Sequence, residues 1–278
     1  MIPAIPKYEI CSKPSPWARA GVRYCRILAR YTPEDLEESL KASGLPRRKD
    51  GIYNTIMPYV PRGDIVEYRS PKAALDEILQ AGRPYWAVGP IARTLKSVGK
   101  GDPEAVGVTG SIAGGYYGAH SDIDIVVYSP NYPELVVRKL LETGETDVAI
   151  ARYSGVFEGS YPIGWRRRVV EGKRVTVTLA PSRPGSHCEP LKNYWRVPTP
   201  EKSIYMREAI IPSGQESALL YPPCFRTSDG VWIVSFEYNV SYLAFEGGPF
   251  KLMGVADGSG TTIYLAVRSV RTLFKRLG

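Results

Sequence analysis

Histidine and the side-chain amides are nearly missing from this chain of 278 residues. His120 and His187 are its two histidines, glutamine occurs only at 80 and 215, and asparagine only at 54, 131, 193 and 239. Two histidines are too few for a histidine-built metal centre. Cysteine is scarce as well: Cys11, Cys25, Cys188 and Cys224 contain no Cys-x-x-Cys pair, which excludes zinc-site spacing. The four read as buried thiols. A Cys11–Cys25 disulfide is the alternative if the source is a hyperthermophile, and the amide depletion, with 24 prolines and abundant arginine, points to a thermophile. There is no apolar run long enough to span a bilayer, and Met1, Ile2, Pro3 and Lys7 do not make the basic-then-apolar layout of a secretion signal. The expectation is a soluble, cytoplasmic protein with no membrane partner. Internal repeats and low-complexity tracts are also lacking.

Charge is in excess on one side only. The formal net charge is +8, which favours polyanionic partners, nucleic acid above all, although a basic surface also serves solubility alone. The length allows one large domain or two small ones. Residues 1–68 read as a helical or irregular segment built on one clear helix that stops near Gly44. Ser70-Pro71 opens a second helix ending at Gly82, and residues 90–98 form a third. Residues 69–184 read as an α/β core. Residues 185–200, rich in Pro, Ser and Gly, form a linker. Residues 201–278 carry short apolar runs at regular spacing, the pattern of a small β-rich, barrel-like domain, and close on a basic helix at 269–277. The fold class expected is therefore mixed α/β (α+β).

The chemistry concentrates in one stretch. Val106-Gly107-Val108-Thr109 reads as a strand and runs into Gly110-Ser111 and a glycine-rich segment. Ser121-Asp122-Ile123-Asp124 then leads into Ile125-Val126-Val127. Two carboxylates spaced by two residues share one face of a strand, with Ile123 and Ile125 on the other. That pairing packs poorly but seats a hard divalent cation. Gly110 admits close backbone approach, and Ser111 adds a hydroxyl.

Through these residues the chain resembles the nucleotidyltransferase superfamily of the DNA polymerase beta type, whose signature is Gly-Ser at the end of one strand and Asp-x-Asp on the next. It also looks like an archaeal group of such proteins. The resemblance implies transfer of a nucleoside monophosphate from an NTP to a hydroxyl acceptor, with Mg²⁺ or Mn²⁺ held by Asp122 and Asp124. Gly110 and Ser111 would hold phosphates at the start of a short helix. It also implies a third carboxylate on a later strand. On the strand expected at 174–179 the outward positions are Thr176 and Thr178, so Asp147 is the candidate, with Glu158 and Glu171 as substitutes. An arginine frequent after the Gly-Ser pair is replaced by Gly114 and Gly115. Arg166 and Arg168, which share a strand face, are candidate nucleotide ligands beside the acids. RNA, a protein side chain or a small molecule remain open as acceptors, with nucleic acid favoured by the charge. A catalytically silent nucleotide- or nucleic-acid-binding protein and a small-molecule nucleotidyltransferase are the alternatives. Neither the base of the NTP nor the oligomeric state follows from the residues.

Overall fold

The computed structural model describes residues 2–3, 6–28, 33–49, 56–98, 106–118, 120–128, 130, 132–146, 165–183, 185–192, 203–265 and 273–277. Asp147 and Glu158, together with 193–200 of the expected linker and 269–272 of the expected terminal helix, lie outside these residues.

The N-terminal part is more stranded than its sequence suggests. It runs β1 (Ile2–Pro3), β2 (Tyr8–Ile10), β3 (Trp17–Arg19), β4 (Val22–Arg26), α1 (Pro33–Ser43), β5 (Arg47–Lys49) and β6 (Ile56–Val60). Two three-stranded antiparallel sheets result, ordered β2-β4-β3 and β1-β6-β5. The β3–β4 turn is Ala20-Gly21, with φ of 48° and 80°. Positive φ at both central residues gives the twist that suits a two-residue hairpin. The strands are too short for the period-two signal to show.

The central part contains α2 (Pro71–Ala81), α3 (Tyr85–Val98), β7 (Val106–Thr109), α4 (Gly110–Gly114), β8 (Ile123–Tyr128), α5 (Pro133–Leu141), β9 (Glu145–Thr146), β10 (Arg167–Val170) and β11 (Lys173–Ala180). Ser70 caps α2 by accepting from the Ala73 N–H, Pro71 sits in its first turn, and Gly82 ends it in the left-handed region, as the sequence indicates. Helix α3 starts earlier than expected, at Tyr85, with Pro90 in its interior. Ala87, Pro90, Ile91 and Thr94 form its buried stripe, so packing outweighs the hydrogen bond that proline removes.

The central sheet is ordered β7-β8-β11-β10-β9, with β8 and β11 parallel and the other pairs antiparallel. One face is apolar: Val108, Ile125 and Val177 lie in one register row, Val106, Val127 and Leu179 in another, and all six are buried with α3 and α5 residues in one core. On the opposite face α2 approaches so closely that a Cβ on Gly107 would fall 2.5 Å from the Pro71 carbonyl carbon.

The C-terminal part contains β12 (Ser203–Ile211), β13 (Cys224–Arg226), β14 (Trp232–Ser235), α6 (Ser241–Glu246), β15 (Gly248–Ala256), β16 (Thr262–Leu265) and β17 (Leu273–Arg276). These strands form one sheet in the order β12-β15-β16-β14-β13, with β17 also on β15, and it curls into a half-barrel. Strand β17 corrects the expected basic helix. Phe274 is buried and packs on Phe250 at 4.5 Å between ring centroids, while Lys275 and Arg276 face out. The unpaired edge of β15 at 250–253 thus outweighs the helix propensity of the segment. The two parts meet at Tyr238, whose hydroxyl accepts the Leu179 N–H at 3.0 Å and donates to the Leu219 carbonyl.

The four cysteines are not thiols. Cys11–Cys25, the alternative the sequence offers, and Cys188–Cys224 are disulfides: the β2–β4 pairing brings the first pair together, whereas Cys188 stands just before a short helical turn at 189–191. Cys11 follows β2 and Cys25 lies on the paired β4; Cys224 opens β13. The second bridge closes a sequence separation of 36 residues, a loop whose closure entropy is worth about 4 kcal/mol. Cys188→Ser should therefore lower the unfolding free energy in guanidinium by about 4 kcal/mol. A midpoint equal to that of the oxidised wild type would show that the bridge contributes nothing.

Candidate functional site

The register of the central sheet assembles the site. Thr109 on β7 pairs with Asp124 on β8, Asp124 with Thr176 on β11, and Thr176 with Arg167 on β10. Directly paired residues project to the same face, so these four side chains form one row on the face opposite the apolar core. Asp122 lies two residues before Asp124 and extends the row at its edge, where Arg167 Nη2 approaches its Oδ2 at 3.8 Å. Ahead of it, Ser121 turns the chain by accepting the Gly118 N–H on its hydroxyl at 3.0 Å.

Asp124 is packed against the glycine-rich turn. Gly110 adopts φ +70°, and a Cβ there would lie 2.3 Å from Asp124 Oδ2. Glycine is thus required both by conformation and by the carboxylate next to it. Burial, and secondarily the Asp122 charge, push the Asp124 carboxyl above its usual range, against the pull of Arg166, Lys7 and Arg167. A carboxylate pair held this way is under-compensated.

Arg168 does not stand beside the acids as its sequence position suggests. Arg168 pairs with Val175 and so lies on the apolar face, where it is buried. Its guanidinium donates to the carbonyls of Leu141, Thr143 and Gly144 and to the Thr146 hydroxyl, so it ties down the end of α5 and cannot reach a nucleotide. Arg167, which sequence parity assigned to the other side, is the strand arginine on the acid face. Arg166 precedes β10 and turns back: its Nη2 donates to Thr178 Oγ1 at 3.1 Å, and its guanidinium lies 4.5 Å from the Tyr238 ring centroid. It therefore remains among the cations facing Asp124. Glu171 faces α3 instead, 3.9 Å from Arg93.

Two other parts of the chain complete the surroundings. The β2-β4-β3 sheet overlies the glycine-rich turn: the Tyr116 ring packs on Tyr8 at 4.9 Å and on Tyr24 at 5.3 Å, and Pro16 abuts Gly118. A pocket of about 440 Å³ opens here, lined by Thr109, Gly110 and Gly114 from the turn and by Arg19, Glu67 and Arg69 from upstream. From the C-terminal part comes Glu237, whose carboxyl is pushed by burial from 4.5 to about 7 although Arg166 draws it down. Neither contribution is visible in sequence, since residues so distant along the chain meet only through folding. An acid directly after the apolar run 231–236 is the one trace Glu237 leaves.

The donor set suits a divalent cation. Among the described residues no three His, Cys, Asp or Glu side chains cluster; the neighbouring carboxylates that could hold such an ion are Asp122 and Asp124. Mg²⁺ binds through one or two carboxylates with waters and substrate phosphates, and such an ion would offset the burial and the Asp122 charge that raise the Asp124 carboxyl. The pair fits that role.

Residues 91–156 match the nucleotidyltransferase domain family. The match supports the nucleotidyltransferase superfamily for this part of the chain and a general nucleotidyl-transfer activity. The matched nucleotidyltransferase segment includes Gly110, Ser111, Asp122 and Asp124; the arginines at 166 and 167, the Arg19–Glu67–Arg69 cluster and Glu237 lie outside it. No curated protein matches the chain, and no solved structure does. Among the described residues no helix is long and apolar enough to cross a membrane.

Arg168→Ala should destabilise the protein by about 3 kcal/mol, because it removes the guanidinium that the Leu141, Thr143 and Gly144 carbonyls share. Arg167→Ala should leave the unfolding midpoint nearly unchanged; equal losses in the two variants would contradict the face assignment. Glu237 supplies a pH test. Its carboxyl keeps a proton in the folded state that the unfolded chain has lost, so stability falls as pH rises from 4.5 to about 7 and levels off above. Glu237→Gln should flatten that part of a thermal-denaturation profile, and an unchanged slope would refute the assignment.

Proposed function

We propose that the protein transfers a nucleoside monophosphate from an NTP to a hydroxyl acceptor at the Asp122–Asp124 face. The observation that carries this reading is the seating of Asp124 on Gly110, in register with Thr109: the acid pair and the pocket that Thr109 and Gly110 line share one sheet end. Bound Mg²⁺ or Mn²⁺ supplies charge neutralisation and polarisation at the phosphoryl group. Asp122 and Asp124 hold it, while Gly110 and Ser111 accommodate the β- and γ-phosphates through backbone and hydroxyl. Arg166 and Arg167 add positive charge where negative charge develops on the transferring group. Asp147 is the third acid of this proposal, taking the acceptor hydroxyl's proton. The net charge of +8 favours RNA as the acceptor.

One observation favours a catalytically silent nucleotide-binding protein instead. The β11 position in register with Asp124 is Thr176, which cannot act as a general base, and Arg167 faces the acids from the strand beyond it. Incubation with labelled NTPs and RNA, small hydroxyl compounds or the protein itself separates the readings: metal-dependent binding with no transfer to any of them would select the silent form.

The double variant Asp122→Asn with Asp124→Asn should lose metal-dependent binding of a nonhydrolysable NTP in calorimetry. It should also melt at a higher temperature than wild type without metal, since a carboxyl raised by burial opposes folding once ionised. Undiminished affinity in the double variant would remove these acids from the site.

A further inference from the structure

The pocket beside the glycine-rich turn is built around one carboxylate and two guanidinium groups that lie outside the matched nucleotidyltransferase segment. Glu67 accepts from Arg19 Nη1 at 2.6 Å and Arg19 Nη2 at 3.0 Å, and Arg69 Nε lies 3.0 Å from its Oε1. Three N–H groups converge on a single pair of oxygens, the fork geometry that guanidinium groups offer carboxylate and phosphate alike. Arg69 is fixed by its other nitrogens: Nη1 donates to the Ala113 carbonyl and Nη2 to Glu77, both at 2.8 Å. Arg19 stands at the end of β3, next to the Ala20-Gly21 turn.

The turn leaves room for these groups. A Cβ on Gly115 would meet Arg19 Cδ and Arg69 Nη1 at 3.3 Å, and a Cβ on Gly114 would meet the Tyr116 ring at 2.2 Å. The volume that side chains at 114 and 115 would fill is taken by the upstream arginines and by Tyr116. The strap 65–69 is arranged for the same end. Val66 is fully exposed and Tyr68 is 71% exposed, while the alternate residues Glu67 and Arg69 point into the pocket. Exposing two large apolar residues is unfavourable, and it places the carboxylate on the guanidinium pair.

We propose that Arg19 and Arg69 form a phosphate-binding seat beside the glycine-rich turn, which the Glu67 carboxylate occupies until a polyphosphate displaces it. The assignment of that polyphosphate to an NTP rests on the nucleotidyltransferase reading; the seat itself does not. Displacement costs little, because Glu67 and Arg19 remain 43% and 35% exposed, and an ion pair that water can reach adds little to stability. A phosphate brings more charge and more acceptor oxygens than the carboxylate it replaces. Glu77 keeps its contact with Arg69, so departure of Glu67 leaves one unbalanced positive charge in the pocket.

Calorimetric titration of the full chain with inorganic tripolyphosphate in EDTA tests this without any metal. Glu67→Gln should bind about tenfold more tightly than wild type and Arg19→Met about tenfold more weakly, with circular dichroism showing both variants folded. The Asp122→Asn, Asp124→Asn protein should keep the wild-type affinity or exceed it, so failure of the metal site and failure of the seat are read separately. Equal affinities for wild type, Glu67→Gln and Arg19→Met, or no binding by any of them, overturns the proposal.

Discussion

A missing methyl group organises this protein's polar face. Gly110 places its backbone where only a hydrogen fits between it and Asp124 Oδ2, and its φ of +70° is one that side chains resist. That contact fixes the turn against the next strand and half-buries a carboxylate among Asp122, Arg166, Arg167 and Lys7. The register row from Thr109 to Arg167 then distributes acid, hydroxyl and guanidinium groups across four strands in one line. The apolar rows behind it, with Val108, Ile125 and Val177 fully buried or nearly so, keep that line rigid, since their packing against α3 and α5 ties every strand to the same core.

The polar face is enclosed by elements from both ends of the chain. A small sheet braced by the Cys11–Cys25 bridge lies over the glycine-rich turn through Tyr8, Tyr24 and Tyr116 and brings Arg19 to the pocket. From the other side, Tyr238 anchors the half-barrel to β11 through hydrogen bonds to backbone and lies under the Arg166 guanidinium. Glu237, adjacent to that anchor, has its carboxyl pushed by burial to about 7, against the pull of Arg166. Each flanking part thus delivers titratable or cationic groups to a core that supplies the paired acids.

The places where sequence reasoning met its limit have particular causes. Arg166, Arg167 and Arg168 were separable by parity, but parity says only which of them share a face. Which face carries the acids depends on β10 pairing with β11 and β11 with β8, a fact of non-local hydrogen bonding. The terminal segment has basic residues at helical spacing, yet the open edge of β15 and the Phe250–Phe274 contact draw part of it into a strand. The N-terminal strands are three to five residues long in the sheet that carries Arg19, below the length at which alternation can be distinguished from irregular chain.

The sequence by itself determined the strand–turn–strand that carries Gly110 and Asp124, the helix caps at Ser70 and Gly82, the strand at 174–179 and the β-rich character of the last third. These are written in local patterns, because side-chain period and glycine conformation act over a few residues. Tertiary structure alone decided which arginine meets the acids, that Cys188 bonds to Cys224 and which distant charges share the pocket. Those outcomes depend on register and on the packing of whole elements, where the energies belong to contacts between residues tens or hundreds of positions apart.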